Sequence, residues 1–411
     1  MKSNVLLFWL LLTFLSVSFT SCLKDECQNK EVFYQYDPVY VSKDEIKNGY
    51  KVGASRTLKS AGKIYVYGDY LLINEPYEGI HIVNNSNPSS PQFISFITIP
   101  GNLDLAVINN ILYADNYTDL LAINISNPAS PVLHCRVEDV FMPILKDPLR
   151  GYLVRYKKTE FRRIISCEDR NFGRGWFAEG DVLFKNNSNG SGGSAPGLGG
   201  STARFTIYGD YLYTVDISQL YVFDIKKQCP LLLNKVQIGW NIETIYPYND
   251  FLYIGSTSGM FMYGLKNPAL PNLISSVSHW SSCDPVVAEG NTAYVTLHGG
   301  TACNGYTNQL DIIDISNIYT PVIIKSYDMF SPRGLAISED FLYVCDDGLK
   351  IYNVTDKLNM KLLKHEKLSL VNDIILYPDR KHCILTGEEG IRQYSIENNS
   401  KLRLLSNIPV Q

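Results

Sequence analysis

Seven copies of one five-residue pattern constrain this chain more than anything else in it. Leu310-Asp311-Ile312-Ile313-Asp314 is the clearest copy, and residues 80–84, 120–124, 220–224, 260–264, 349–353 and 391–395 repeat it. The copies end on Asn84, Asn124, Asp224, Gly264, Asp314, Asn353 and Ser395, at spacings of 40, 100, 40, 50, 39 and 42 residues. A second landmark runs in step with the first: Asp69-Tyr70, Asn110-Ile111, Asp210-Tyr211, Asp250-Phe251, Asn291-Thr292 and Asp340-Phe341. A third, Asn-Pro-x-x-Pro, begins at Asn87, Asn127 and Asn267. Three landmarks sharing one period mark a repeat architecture, in which each unit buries its apolar faces only against its neighbours.

Each unit reads as four short strands. In the fourth, Thr244-Ile245-Tyr246 is apolar, Asn249-Asp250 suits a tight hairpin, and Phe251 to Gly255 and Gly259 to Leu265 follow as strands. Asn267-Pro268 and Pro271 break the chain before Leu273 to Val277. Aromatic and β-branched residues fill the strands while Gly, Asn and Pro mark the turns. Beyond the N-terminal leader no stretch carries a 3.6-residue apolar stripe. The expected fold is all-β: a β-propeller of seven four-stranded blades over residues 61–411.

Met1-Lys2 and the apolar run from Val5 to Phe19 have the form of a secretory signal, too short for a membrane span. Phe19-Thr20-Ser21-Cys22 resembles a bacterial lipobox, which implies a signal peptide over residues 1–21 and a lipid on Cys22. Leu23-Lys24-Asp25-Glu26 resembles the export signal of Bacteroidetes surface lipoproteins, which implies an outward-facing protein anchored in the outer membrane. Residues 22–60 read as tether and lead-in. Within them Val32 to Tyr36 and Val39 to Val41 are expected to form a strand that packs on the ring or closes it, and Lys43 to Asn48 a short helical turn.

The 100-residue spacing holds an insertion at 138–202. Its first part is basic with interleaved aromatics, suited either to a polyanion-binding arm or to a solvated hairpin on one blade. Its tail, from Asn186 to Gly200, has the composition of a flexible linker. Unit five is lengthened by a loop from Leu297 to Gly305.

Nine cysteines in an exported chain point to disulfides. Antiparallel register would bring Cys283 and Cys303 to one end of unit five, as a staple on its long loop. Cys135 with Cys167 could clip the insertion, and Cys345 and Cys383 read as buried small hydrophobes. There is no C-x-x-C, no H-E-x-x-H and no G-x-S-x-G, so no metal, cofactor or catalytic residue is expected. The formal net charge of −4 gives no electrostatic footprint for nucleic acid. Residues that begin the first strand of each blade should face the central channel. Asp104, Arg204, Glu243, Asp284, Arg333 and Asp373 are therefore the candidate ligand groups at its mouth.

The five-residue stretches, clearest at Leu310 to Asp314 and Leu220 to Asp224, resemble the strand after which the LVIVD-repeat family is named. The Asn-Pro-x-x-Pro turns extend the resemblance. Tyr36-Asp37-Pro38-Val39-Tyr40 and Cys283-Asp284-Pro285-Val286-Val287 resemble its lipoprotein members. The resemblance implies a β-propeller on a bacterial surface and no activity; Gly264 and Ser395 depart from the pattern's acidic position.

The expectation is a monomeric, non-catalytic binding module for a glycan or an envelope protein, meeting the membrane through its lipid. The competing reading, a polysaccharide hydrolase or lyase at the channel mouth, needs converging carboxylates, which the chain instead scatters one per blade.

Overall fold

The hairpin landmark builds its turns through backbone conformations that few residues tolerate. In a computed structural model, Asn109-Asn110 and Asn249-Asp250 sit at φ 52° and 59°, and 46° and 62°, both in the left-handed region. That is the geometry of a two-residue turn whose twist matches the flanking strands. The structure describes residues 28–166, 198–239, 241–278, 285–299, 307–377, 379, 381–398 and 400–411. The chain divides into two compact units, residues 1–39 with 155–177, and residues 40–154 with 178–411.

The second, larger unit is a β-propeller. Among the described residues it holds seven four-stranded antiparallel meanders, called blades 1–7 below. Their first strands are Ile64–Tyr67, Leu105–Ile108, Phe205–Tyr208, Ile242–Tyr248, Val286–Glu289, Leu335–Ser338 and Val371–Leu376. Each first strand lies against the first strand of the next blade in chain order, which makes these the inner strands. Blade 7 meets blade 1 without sharing a strand. Leu71, Ile73 and Val83 pack with Ile375, Ile384 and Ile391. Asn85 and Gln393 exchange amide hydrogen bonds of 2.9 and 2.7 Å across the same seam.

The five-residue pattern earns its repetition at the turn after the third strand. The closing side chains of Asn84, Asn124, Asp224, Asp314 and Asn353 each accept from the backbone N–H two residues on, at 2.8–3.1 Å. Asn87, Asn127 and Asn267 do the same for a second, successive turn. Short polar side chains that mimic a backbone turn are suited to this corner. The acidic position of the repeat is therefore a turn cap and not a ligand. Tyrosines clasp neighbouring blades on the same side of the ring. Tyr67 Oη accepts from Asn110 N at 2.9 Å, Tyr248 Oη accepts from Gly290 N at 2.6 Å, and Tyr208 Oη donates to Asp250.

Because the strands alternate in direction, one face of the ring carries the first-to-second-strand hairpins and the Asn-Pro turns. The opposite face, the mouth, carries the links from second to third strand and from blade to blade. The second and third strands lie between neighbouring blades and are buried on both sides, as in Ile111–Asn116 and Asp119–Asn124.

The lead-in is tied to this unit at two places. Lys43–Asn48 is the expected helical turn, closed by a Ser42–Glu45 capping box. Lys51–Ala54 adds a strand to the outer edge of blade 1, antiparallel to Gln92–Thr98. The expected lead-in strand spans Gln28–Val41, but it joins no blade. It lies in a separate sheet beside the long strand Gly151–Ser166, while the two edges of blade 1 are taken by Leu198–Gly199 and Lys51–Ala54. Within the smaller unit, Lys158 Nζ stands 4.0 Å from the centre of the Tyr34 ring.

The cysteine reading needs one correction. Cys135, on the outer strand of blade 2, is bonded to Cys229 in the last turn of blade 3, and not to Cys167. Blade packing sets Cys135 beside that turn, a proximity no local pattern announces. Cys345 and Cys383 are buried and outside any disulfide, as expected. Cys22, Cys167, Cys283, Asp284 and Cys303 lie outside the described residues. Among the described residues, no helix is long and apolar enough to cross a membrane.

Candidate functional site

The channel mouth is lined at one register position per blade, six residues ahead of the hairpin landmark in blades 1–6. These residues are Lys63, Asp104, Arg204, Thr244, Pro285, Gly334 and, in blade 7, Asp373. Asp104, Arg204 and Asp373 were expected there. Glu243 and Arg333 stand one residue earlier and are half-exposed. Lys63 was missed. The signal was available: it precedes Asp69 by the same six residues that separate Asp104 from Asn110.

The channel is occupied by the chain itself. On its return from the insertion, Leu198–Gly199 pairs antiparallel with Val66 and Tyr65, the inner strand of blade 1. The next residues cross the channel and are buried: Ser201, Thr202 and Ala203. Asp373 holds the crossing, accepting from Ser201 Oγ at 2.8 Å and from Thr202 Oγ1 at 3.0 Å. Ser201 Oγ accepts in turn from Leu335 N at 2.9 Å, and Ala203 O from Ile245 N at 2.6 Å. Lys63 Nζ donates to Thr202 O and lies 3.4 Å from Asp104 Oδ2. That same oxygen accepts from Arg204 N at 2.7 Å. Gly334 makes room: a Cβ there would stand 2.0 Å from Asp373 Oδ1. Five blades thus contribute to gripping one segment.

Burial sets the electrostatics here. It pushes the Lys63 ammonium down to about 8 against the opposing pull of Asp104. Behind Asp104, burial pushes the Asp115 carboxyl up to about 6, although Asp115 Oδ1 accepts from Leu103 N, Asp104 N and Asn102 Nδ2 at 2.7–2.9 Å. Desolvation also lowers Arg333, whose Nη1 donates to Asn372 Oδ1 at 3.2 Å. The expected ring of ligand groups is thus an internal network at Asp104 and Asp373, with Glu243 and Arg333 at its upper edge. Among the described residues no three His, Cys, Asp or Glu side chains form a cluster able to hold a metal.

Around this filled centre the mouth face carries exposed apolar side chains. Met142, Ile144 and Leu149 stand on the link from blade 2 to blade 3, Ile217 on a turn of blade 3, and Phe330 and Leu370 on the links into blades 6 and 7. The link from blade 2 is itself anchored. Phe141 is buried with its ring 5.3 Å from that of Tyr221, and Val140 N donates to Thr118 O at 2.8 Å.

Comparison with known proteins agrees with the repeat reading. Segments 59–98, 103–139, 199–227, 286–329 and 331–364 match the LVIVD repeat. Blades 4 and 7, which carry Gly264 and Ser395 at the capping position, are the two without a match. No curated protein matches the chain. A candidate 6-phosphogluconolactonase from Bacteroides uniformis superposes with a TM-score of 0.55 at 11% identity, covering 86% of this chain and 98% of its own. The periplasmic gluconolactonase of Pseudomonas aeruginosa gives 0.52 at 12%, covering 85% and 97%. The computationally designed Ika8 protein gives 0.52 at 10%, covering 87% and 90%. At these identities the likeness extends to the fold alone.

Proposed function

We propose that this chain is a cell-envelope lipoprotein, anchored through Cys22, whose seven-bladed propeller is a non-catalytic binding module working through its mouth face. The observation that carries the reading is the filled channel. Asp104 and Asp373, the described acids at the channel position, are engaged in holding residues 201–204, while apolar side chains stand out around them. A hydrolase or lyase at the channel would need a carboxyl that reaches substrate there. Asp104 and Asp115 are buried beneath the crossing and bonded to backbone N–H groups. The accessible Asp347 carboxylate of the mouth face stands beside Lys367 and His365, which supply no second carboxyl. The likeness to lactonases lends that reading only a fold. A monomeric protein held at the outer membrane by its lipid, displayed outward and meeting a glycan or an envelope protein, fits this arrangement best.

The test is position-specific photocrosslinking in intact cells. A photoreactive residue at Phe330 or Ile217 should give adducts, while one at Tyr319 or Leu358, exposed on the opposite face, should give none. Equal adducts from both faces would overturn the assignment of the mouth. In the same cells a clickable fatty acid should label the wild type and not Cys22→Ala; labelling of both would remove the anchor.

A further inference from the structure

The most deliberate feature of the mouth face is an aromatic ring held out in water. Phe330 is 72% exposed, yet its backbone is clamped. Phe330 N and Ser331 N donate to the buried Asp346 carboxylate at 3.2 and 2.7 Å, and Lys350 Nζ completes the clamp at 2.7 Å. Pro332 follows directly, which restricts Ser331 as well. A large apolar side chain that gains nothing from burial, presented by a fixed loop, is preorganised for a ligand.

Beside it lies a cleft of about 130 Å³, lined by Phe330, Ser331, Asp347, Leu368, Leu370 and Val371. That is well below the roughly 300–1,000 Å³ of sites for extended ligands, so it suits one ring. Its floor is apolar and its edge is polar in a particular way. The Asp347 carboxylate has Lys367 Nζ at 3.9 Å and His365 Nε2 at 3.6 Å. An acceptor and an ammonium donor set side by side can bind two neighbouring hydroxyls, one donating and one accepting. Gly348, at φ 104°, leaves the wall between them without a side chain; a Cβ there would meet Glu366 O at 2.2 Å.

From these three elements we infer that the cleft between Phe330 and Leu370 is a subsite for one neutral pyranose ring of a glycan. The sugar's C–H face lies on Phe330, and two adjacent hydroxyls turn toward Asp347 and Lys367. This rests on the mouth-face reading above and names the ligand class for it. A free apolar residue of a protein partner would use the floor but leave the Asp347–Lys367 edge without a role, so the glycan is favoured.

The experiment is saturation-transfer NMR on the soluble chain lacking its leader, with methyl glycosides of glucose, galactose, mannose and N-acetylglucosamine. At least one glycoside should receive saturation on its ring C–H protons, with a dissociation constant in the millimolar range. Phe330→Ala should weaken it about tenfold or more, the equivalent of roughly 1.4 kcal/mol. Asp347→Asn should weaken it to a lesser degree, and Tyr319→Ala on the opposite face should leave it unchanged. Both Phe330 and Tyr319 are exposed, so neither change threatens folding. Transfer to none of the four sugars, or transfer that survives Phe330→Ala, overturns the subsite. An apolar peptide that binds in a Phe330-dependent way while the sugars do not also overturns it, but leaves the mouth-face reading standing. That reading fails separately, if crosslinks from the two faces are alike.

Discussion

The two faces of the propeller are built by opposite rules. On the hairpin face nearly every repeated polar residue has a partner within two residues or in the adjoining blade: Asp314 caps Ser316 N, and Tyr67 clasps Asn110. On the mouth face the blades stop resembling one another. Blade 3 turns Ile217 outward, and blade 6 holds out Phe330 on a clamped backbone. The difference teaches where repetition comes from within a single chain. A turn imposes the same local geometry on every copy, whereas the mouth face has no geometry in common to satisfy and is left to specialise.

Three experiments can break or sharpen that contrast. The largest effect is expected at the centre. Asp373→Ala removes the acceptor for Ser201 and Thr202 and leaves buried hydroxyl and amide donors unmet, which should cost about 3 kcal/mol in denaturant unfolding. A loss under about 1 kcal/mol would mean that residues 200–204 merely lie in the channel and are not gripped there.

The second is a pH dependence carried by Asp115. Burial raises its folded pKa to about 6, above the 3.8 of an ordinary aspartate. The native state therefore binds this proton more tightly than the unfolded state does. The resulting stability is fully present below about pH 4 and is lost as pH rises through about 6. Asp115→Asn should accordingly flatten the stability profile between these values and raise neutral-pH stability by about 1–3 kcal/mol. Parallel wild-type and variant profiles would show that the carboxyl is not desolvated as the structure places it.

The smallest effect belongs to the hairpin face. Tyr67→Phe deletes one of several equivalent clasps at an accessible site and should cost about 0.5–1 kcal/mol in the same unfolding assay. If it costs as much as Asp373→Ala, the two faces are not held together by different rules.

What the sequence determined by itself is whatever is settled within a few residues or repeats with the period. The blade strands, the Asn109-Asn110 and Asn249-Asp250 hairpins, the Asn-Pro turns, the helical turn at Lys43 and the burial of Cys345 and Cys383 were all legible in it. Three of the seven residues at the channel position were legible too, Asp104, Arg204 and Asp373; counting six residues back from Asp69 would have added Lys63. Only the tertiary structure decided that the channel is filled, that Cys135 meets Cys229, and that Gln28–Val41 pairs with the insertion's strand. Asp373 and Ser201 are 172 residues apart, Lys63 and Thr202 139, and the two cysteines 94. Turn chemistry acts on the backbone next to the side chain and so leaves a pattern in the order of residues. A contact between distant residues exists only once the blades have brought them together, and Ser201 carries no mark of the aspartate it will meet.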